Sequence, residues 1–110
     1  MSDAEDALAQ QIYLIGLPVP EREWRFTGPT GKRRWQVDFC WPDRRVCVEL
    51  EGGVWKVGRH NSPTGFLKDM DKYNELALAG YTLVRATPAM VDSGAALDLI
   101  ERALGRGAHE

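Results

Sequence analysis

Two cysteines in 110 residues are too few for a disulfide scaffold. Cys40 and Cys47 also lack the spacing of a zinc site, so a reducing, cytoplasmic setting is expected. No apolar run exceeds a few residues, which excludes a bilayer-spanning helix. The acidic start, Met1 to Asp6, has no basic segment ahead of an apolar stretch, and no secretory signal is expected. Repeats of solenoid length and low-complexity tracts are missing as well. Nor is there an excess of one charge: 14 Lys and Arg against 16 Asp and Glu leave a net charge of -2, which excludes a general nucleic-acid coat.

What is present suits one soluble domain. Apolar residues make up 44% of the chain, enough for a single core at this length. Arg22, Arg25, Lys32, Arg33, Arg34, Arg44 and Arg45 crowd the first half, and arginine dominates the basic residues. Arginine favours planar, bidentate partners such as carboxylate and phosphate; a solvated charged surface is the competing reading.

Ser2 and Glu5 have capping-box spacing, and Ala4, Leu8, Ile12 and Ile15 recur with helical period. A helix is predicted from Asp3 to Ile15, closed by Gly16 and barred from continuing by Pro18 and Pro20. A strand over Glu21–Phe26 and a turn through Thr27–Gly31 follow. Trp35, Val37 and Phe39 then alternate with Gln36, Asp38 and Cys40. Val46, Val48 and Leu50 alternate with Cys47, Glu49 and Glu51. A turn symmetric about Pro42-Asp43 would set Phe39 against Val46 and Val37 against Val48, with the large apolar residues on one face. After a loop through Gly58, Arg59, His60 and Asn61, a helix is predicted from Ser62-Pro63 to Ala79, its buried stripe Phe66, Met70, Tyr73 and Ala77. A strand at Tyr81–Arg85, a helical turn at Thr87-Pro88 and a helix over Gly94–Leu104 complete the chain. The order α-β-β-β-α-β-α predicts an α/β fold with a central mixed sheet flanked by helices.

The predicted hairpin places acids on one face. Asp38 opposite Cys47 has Glu49 as its diagonal neighbour, roughly 7–8 Å away, and Glu51 follows on the same side. Clustered carboxylates repel unless a cation or proton intervenes. All-oxygen ligation suits Mg²⁺, Mn²⁺ or Ca²⁺. The competing reading is an exposed face of solvated acids.

Asp38, ten residues, then Glu49-Leu50-Glu51 on paired strands resembles the PD-(D/E)XK, or restriction-endonuclease-like, superfamily. Trp35-Gln36-Val37-Asp38-Phe39 and Val48-Glu49-Leu50-Glu51-Gly52-Gly53 more closely resemble a branch of small bacterial and phage proteins related to the very-short-patch-repair endonuclease. Asp69, eleven residues before Gly80, and Gly80-Tyr81-Thr82-Leu83-Val84-Arg85 also match that branch. The resemblance spans roughly Glu5 to Leu104. It implies a metal-dependent DNA endonuclease in which Asp38, Glu49 and Glu51 hold Mg²⁺ or Mn²⁺. Glu5, His60, Asp69 and Lys72 are further catalytic candidates.

Two departures shape the expectation. Glu51 stands where the superfamily usually has Lys, so Lys72 or His60 must supply that role. Trp55 stands where the branch often has His. The ordinary alternatives are a helix cap for Glu5, a helix ion pair for Asp69 and Lys72, and an exposed loop for His60. Arg33, Arg34, Arg44 and Arg45 are the expected DNA contacts. A catalytically inactive DNA-binding or assembly module is the alternative function. Sequence specificity would need loops, a homodimer or a protein partner.

Overall fold

The computed structural model describes residues 3–29, 31, 34–51 and 63–105. Helix α1 (Asp3–Leu14) precedes strands β1 (Glu21–Thr27), β2 (Arg34–Trp41) and β3 (Val46–Leu50). Helix α2 (Pro63–Leu78), strand β4 (Thr82–Ala86) and helices α3 (Pro88–Ser93) and α4 (Ala95–Ala103) complete the order. The sheet runs β1-β2-β3-β4. β1–β2 and β2–β3 are antiparallel, and β3–β4 is parallel. This is the expected α/β mixed sheet between helices. Ser2, Lys32, Arg33, residues 52–62 (with His60) and residues 106–110 lie outside the described residues, as does the side chain of Phe66.

One face of the sheet packs on α1, α3 and α4. There Phe39, Trp41, Val46 and Val48 meet Leu8, Ile12, Val91 and Ile100, all essentially excluded from solvent. The indole Nε1 of Trp41 donates to Pro18 O at 2.7 Å, so its burial leaves no donor unpaired. The other face packs Val37, Cys40 and Cys47 on Leu76 of α2, with Trp24, Phe26, Tyr73 and Tyr81 around them.

Three expectations are corrected. The hairpin register is shifted by two residues: Phe39 pairs with Val48 and Trp41 with Val46. The cause is a four-residue connection, closed by Arg44 N–H to Trp41 O and holding Arg45 at φ 54°. A shift of two preserves the faces, so the alternation could not distinguish the two registers. The large apolar residues, however, do not share one face. Val37 packs toward α2 and Phe39 toward α1. The same reversal occurs next door, where Arg22 lies over the Phe39 ring while Trp24 joins the α2 side. Between them Glu23 adopts φ 51°, a conformation costly for a residue with a Cβ. Both strands therefore switch faces at Glu23 and Asp38.

The third correction concerns α2. Met70 is 41% exposed and Ala77 is exposed, whereas Leu76 and Lys72 are buried. The inward face carries a charged residue, which an apolar count excludes. The C-terminal region follows the expectation: a short helix, α3, opens after Thr87, and a separate helix, α4, ends the described chain. Gly94, at φ 88°, serves as C-cap of the first and N-cap of the second.

Candidate functional site

The face switch opens the β2–β3 ladder at the acids. The paired register ends at Phe39 and Val48, and beyond it Asp38 lies near enough to Glu49 for its charge to raise the Glu49 carboxyl. Two backbone groups there find side-chain partners. Leu50 N–H donates to Asp38 Oδ2 at 2.7 Å, and Gln36 O accepts from Lys72 Nζ at 3.1 Å. Satisfying buried backbone groups in this way is obligatory where a ladder parts. It also fixes Asp38 and Lys72 in space.

Lys72 reaches this point from the third turn of α2, with only 8% of its surface exposed. Its Nζ lies 2.7 Å from Glu49 Oε2. The other oxygen, Glu49 Oε1, is buried with no hydrogen-bond partner among the described residues. Burial raises the Glu49 carboxyl to about 6, opposed by the hydrogen bond and charge of Lys72 and reinforced by the nearby Asp38 and Glu51 charges. Lys72 thus meets Glu49, not Asp69, and the helix ion pair that its spacing allowed is not the contact it makes.

Glu51 turns away toward β4. Its Oε2 accepts from Arg85 Nε at 2.8 Å and from the Tyr73 hydroxyl at 3.4 Å. The Arg85 guanidinium lies over the Tyr73 ring, 4.6 Å from its centroid. Burial, followed by the charge of Glu51, pushes the Tyr73 hydroxyl above its ordinary range, which keeps it a donor. Among the described residues, no three His, Cys, Asp or Glu side chains gather into a group able to hold a metal ion. Asp38, Glu49 and Lys72 come together, while Glu51 sits one step outward in an ion pair.

The other candidates separate. Asp69 is exposed and lines an open recess of about 250 Å³ with Met70, Tyr73 and Arg85. Glu5 is 5% exposed and its Oε2 accepts from Arg22 at 3.0 Å, which ties α1 to β1. His60 and Arg33 lie outside the described residues, and Arg34 is exposed at the start of β2.

Arg44 and Arg45 sit at the far end of β3, roughly 20 Å of strand from Glu51 at ~3.3 Å per residue. Arg44 Nη1 donates to Leu104 O at 3.1 Å, and Arg45 Nη1 to Ala79 O at 2.7 Å. Both arginines satisfy carbonyls at helix C-termini, a position that favours cations. The arginine cluster of the sequence is thus divided between the two ends of the sheet.

Sequence reasoning missed Arg85, Tyr73 and the Gln36 carbonyl. The parallel pairing of Glu49 with Arg85 brings in the arginine. Cys40 and Cys47, paired across β2–β3 with their sulfurs 3.5 Å apart, lie beneath the site as free thiols. The Cys40 thiol is pushed up by its hydrogen bond with Cys47 and by burial.

No family model matches the chain, and no solved structure matches it. Among curated proteins it is similar to two uncharacterized proteins of Mycobacterium tuberculosis, one from strain CDC 1551 and one from strain H37Rv. Each is 36% identical over 93 residues, covering 81% of this chain and 31% of the relative. The chain therefore spans about a third of the length of the curated relatives it matches.

Proposed function

We propose that the chain is a metal-dependent DNA endonuclease of the restriction-endonuclease-like type, hydrolysing phosphodiester bonds at Asp38, Glu49 and Lys72. The observation that carries this reading is the buried Lys72. A lysine delivered from α2 to the Glu49 carboxylate supplies, from another element, the cation that Glu51 cannot supply from the usual position. A lone structural ion pair gives no reason for the ladder to open beside it or for Glu23 to be held at positive φ.

The donor set fits a hard divalent cation. Glu49 Oε1 is a buried acceptor without a partner among the described residues, and the Asp38 charge acts on the same carboxyl. Asp38 and Glu49 are the residues that would hold Mg²⁺ or Mn²⁺. Glu51, engaged by Arg85, becomes a neighbour rather than a third ligand. Such a cation lowers the pKa of a bound water and offsets negative charge on phosphate. Lys72 holds Glu49 ionised and places positive charge beside the reacting group. Proton transfer falls to His60 in this reading.

A second reading, a non-catalytic DNA-binding or assembly module, draws on a specific observation. Glu49 and Glu51 are each already neutralised within the chain, by Lys72 and Arg85. Incubation with supercoiled plasmid in Mg²⁺ and Mn²⁺ separates the two. Metal-dependent nicking abolished by Asp38→Asn supports the nuclease. Absence of cleavage in both metals, with DNA still bound, supports the module.

A further inference from the structure

Like Arg22, Arg85 combines a carboxylate pair with a ring contact, but it meets its carboxylate through Nε rather than through an Nη group. Its Nε is fixed on Glu51 Oε2 at 2.8 Å, and its Cζ lies 4.6 Å from the centre of the Tyr73 ring. The Tyr73 hydroxyl closes the triangle by donating to the same Glu51 oxygen at 3.4 Å. Two contacts thus define both the position and the tilt of the guanidinium. Neither Nη group donates to any of the described residues, and the side chain remains 52% exposed. Arg85 lines the recess of about 250 Å³ together with Asp69, Met70 and Tyr73. The pairing with Glu49 puts this fork directly beside the candidate site.

We propose that Arg85 binds substrate: its Nη groups grip a phosphate of the DNA strand lying along the Met70–Tyr73 recess, while its Nε stays on Glu51. The inference rests on the reading of the site as one that handles DNA. A guanidinium already immobilised loses little conformational entropy on binding, and its fork matches phosphate geometry bidentately. Glu51 then has a role that explains its replacement of the usual lysine: it anchors a phosphate-binding arginine. Asp69, on the same recess, opposes the anion and keeps the contact at the outer edge of the fork.

The test measures binding separately from cleavage. Anisotropy of a short fluorescein-labelled duplex, in Ca²⁺ and over a range of KCl, gives affinity and salt slope for the full chain. Arg85→Gln should bind about tenfold more weakly, with a log–log slope lower by about 0.9. Because that variant also frees the Glu51 charge, the double variant Arg85→Gln/Glu51→Gln is measured beside it. The reduced slope should persist there. Recovery to the wild-type slope overturns the proposal, as does an unchanged slope in Arg85→Gln. Asp69→Asn, which alters an exposed residue, should tighten binding; looser binding counts against the proposal even if Arg85→Gln fails to fold. A wild-type chain that binds DNA without cutting it overturns the nuclease reading and leaves Arg85 to be judged on the slope. One that binds no DNA overturns both.

Discussion

Lys72→Met removes the ammonium and keeps most of the aliphatic stem. Glu49 is then left without the cation at 2.7 Å and within a site where burial already raises its carboxyl to about 6. Removing one partner of a buried pair typically costs ~3–5 kcal/mol. The fold can limit that cost by protonating Glu49. Starting from an ordinary carboxyl at 4.5, protonation at pH 7 costs about 3.4 kcal/mol, at 1.36 kcal/mol per pH unit. At pH 5 the same escape costs only about 0.7 kcal/mol. Wild type, whose Glu49 protonates around 6, itself gains about 1.2 kcal/mol between pH 7 and pH 5, so the destabilisation should be about 3 kcal/mol at pH 7 and should shrink by about 1.5 kcal/mol by pH 5. Urea denaturation at the two pH values, with m held common, measures this. Lys72→Met/Glu49→Gln should recover most of the loss at pH 7, since no charge remains buried. Equal destabilisation at both pH values, or no recovery in the double variant, would refute the argument that Lys72 exists to pay for an ionised Glu49.

Other outcomes follow from the same geometry. In metal-free protein the Glu49 carboxyl should titrate near 6 by carbon-detected NMR. Because its folded value lies above the unfolded one, Glu49 contributes stability below pH 4.5 that is lost as pH rises through 6; a Glu49 titration near 4 would contradict the burial. Arg45→Met should cost about 0.5–1 kcal/mol by removing the donor to the exposed Ala79 O, while leaving the salt dependence of any DNA binding unchanged; a reduced slope would make Arg45 a phosphate contact. Asp38→Asn should lower stability by about 1 kcal/mol, the Leu50 N–H then meeting a neutral acceptor; hydrogen exchange at Leu50 should quicken in step, and an unchanged rate would contradict the contact.

Element order was legible because each element carries its own period and punctuation. Leu8 and Ile12 recur as a helix must, and Val46 and Val48 alternate as residues on one face of a strand must; both pairs are buried where expected. The hairpin register was not legible, because any two-residue shift gives the same faces. The reversal at Asp38 was hidden for a different reason. It depends on Glu23 taking positive φ, and nothing in Arg22-Glu23-Trp24 announces a residue paid to be strained. For the site, Asp38 and Glu49 could be read from their strands, and Lys72 from the lysine missing at Glu51. Arg85 could not, since its importance arises from β4 lying parallel to β3, a long-range pairing. The arginine cluster misled for the converse reason: proximity in sequence along a hairpin puts Arg34 and Arg45 at opposite ends of a strand.

The most direct measurement is cleavage of supercoiled plasmid in Mn²⁺ by wild type, Asp38→Asn, Glu49→Gln and Lys72→Met, each first shown to melt cooperatively. The endonuclease account predicts metal-dependent nicking by wild type and a loss on the order of 10²–10³ in rate for each variant. Folded wild type that leaves the plasmid intact, or a folded Lys72→Met that cuts at the wild-type rate, would contradict it.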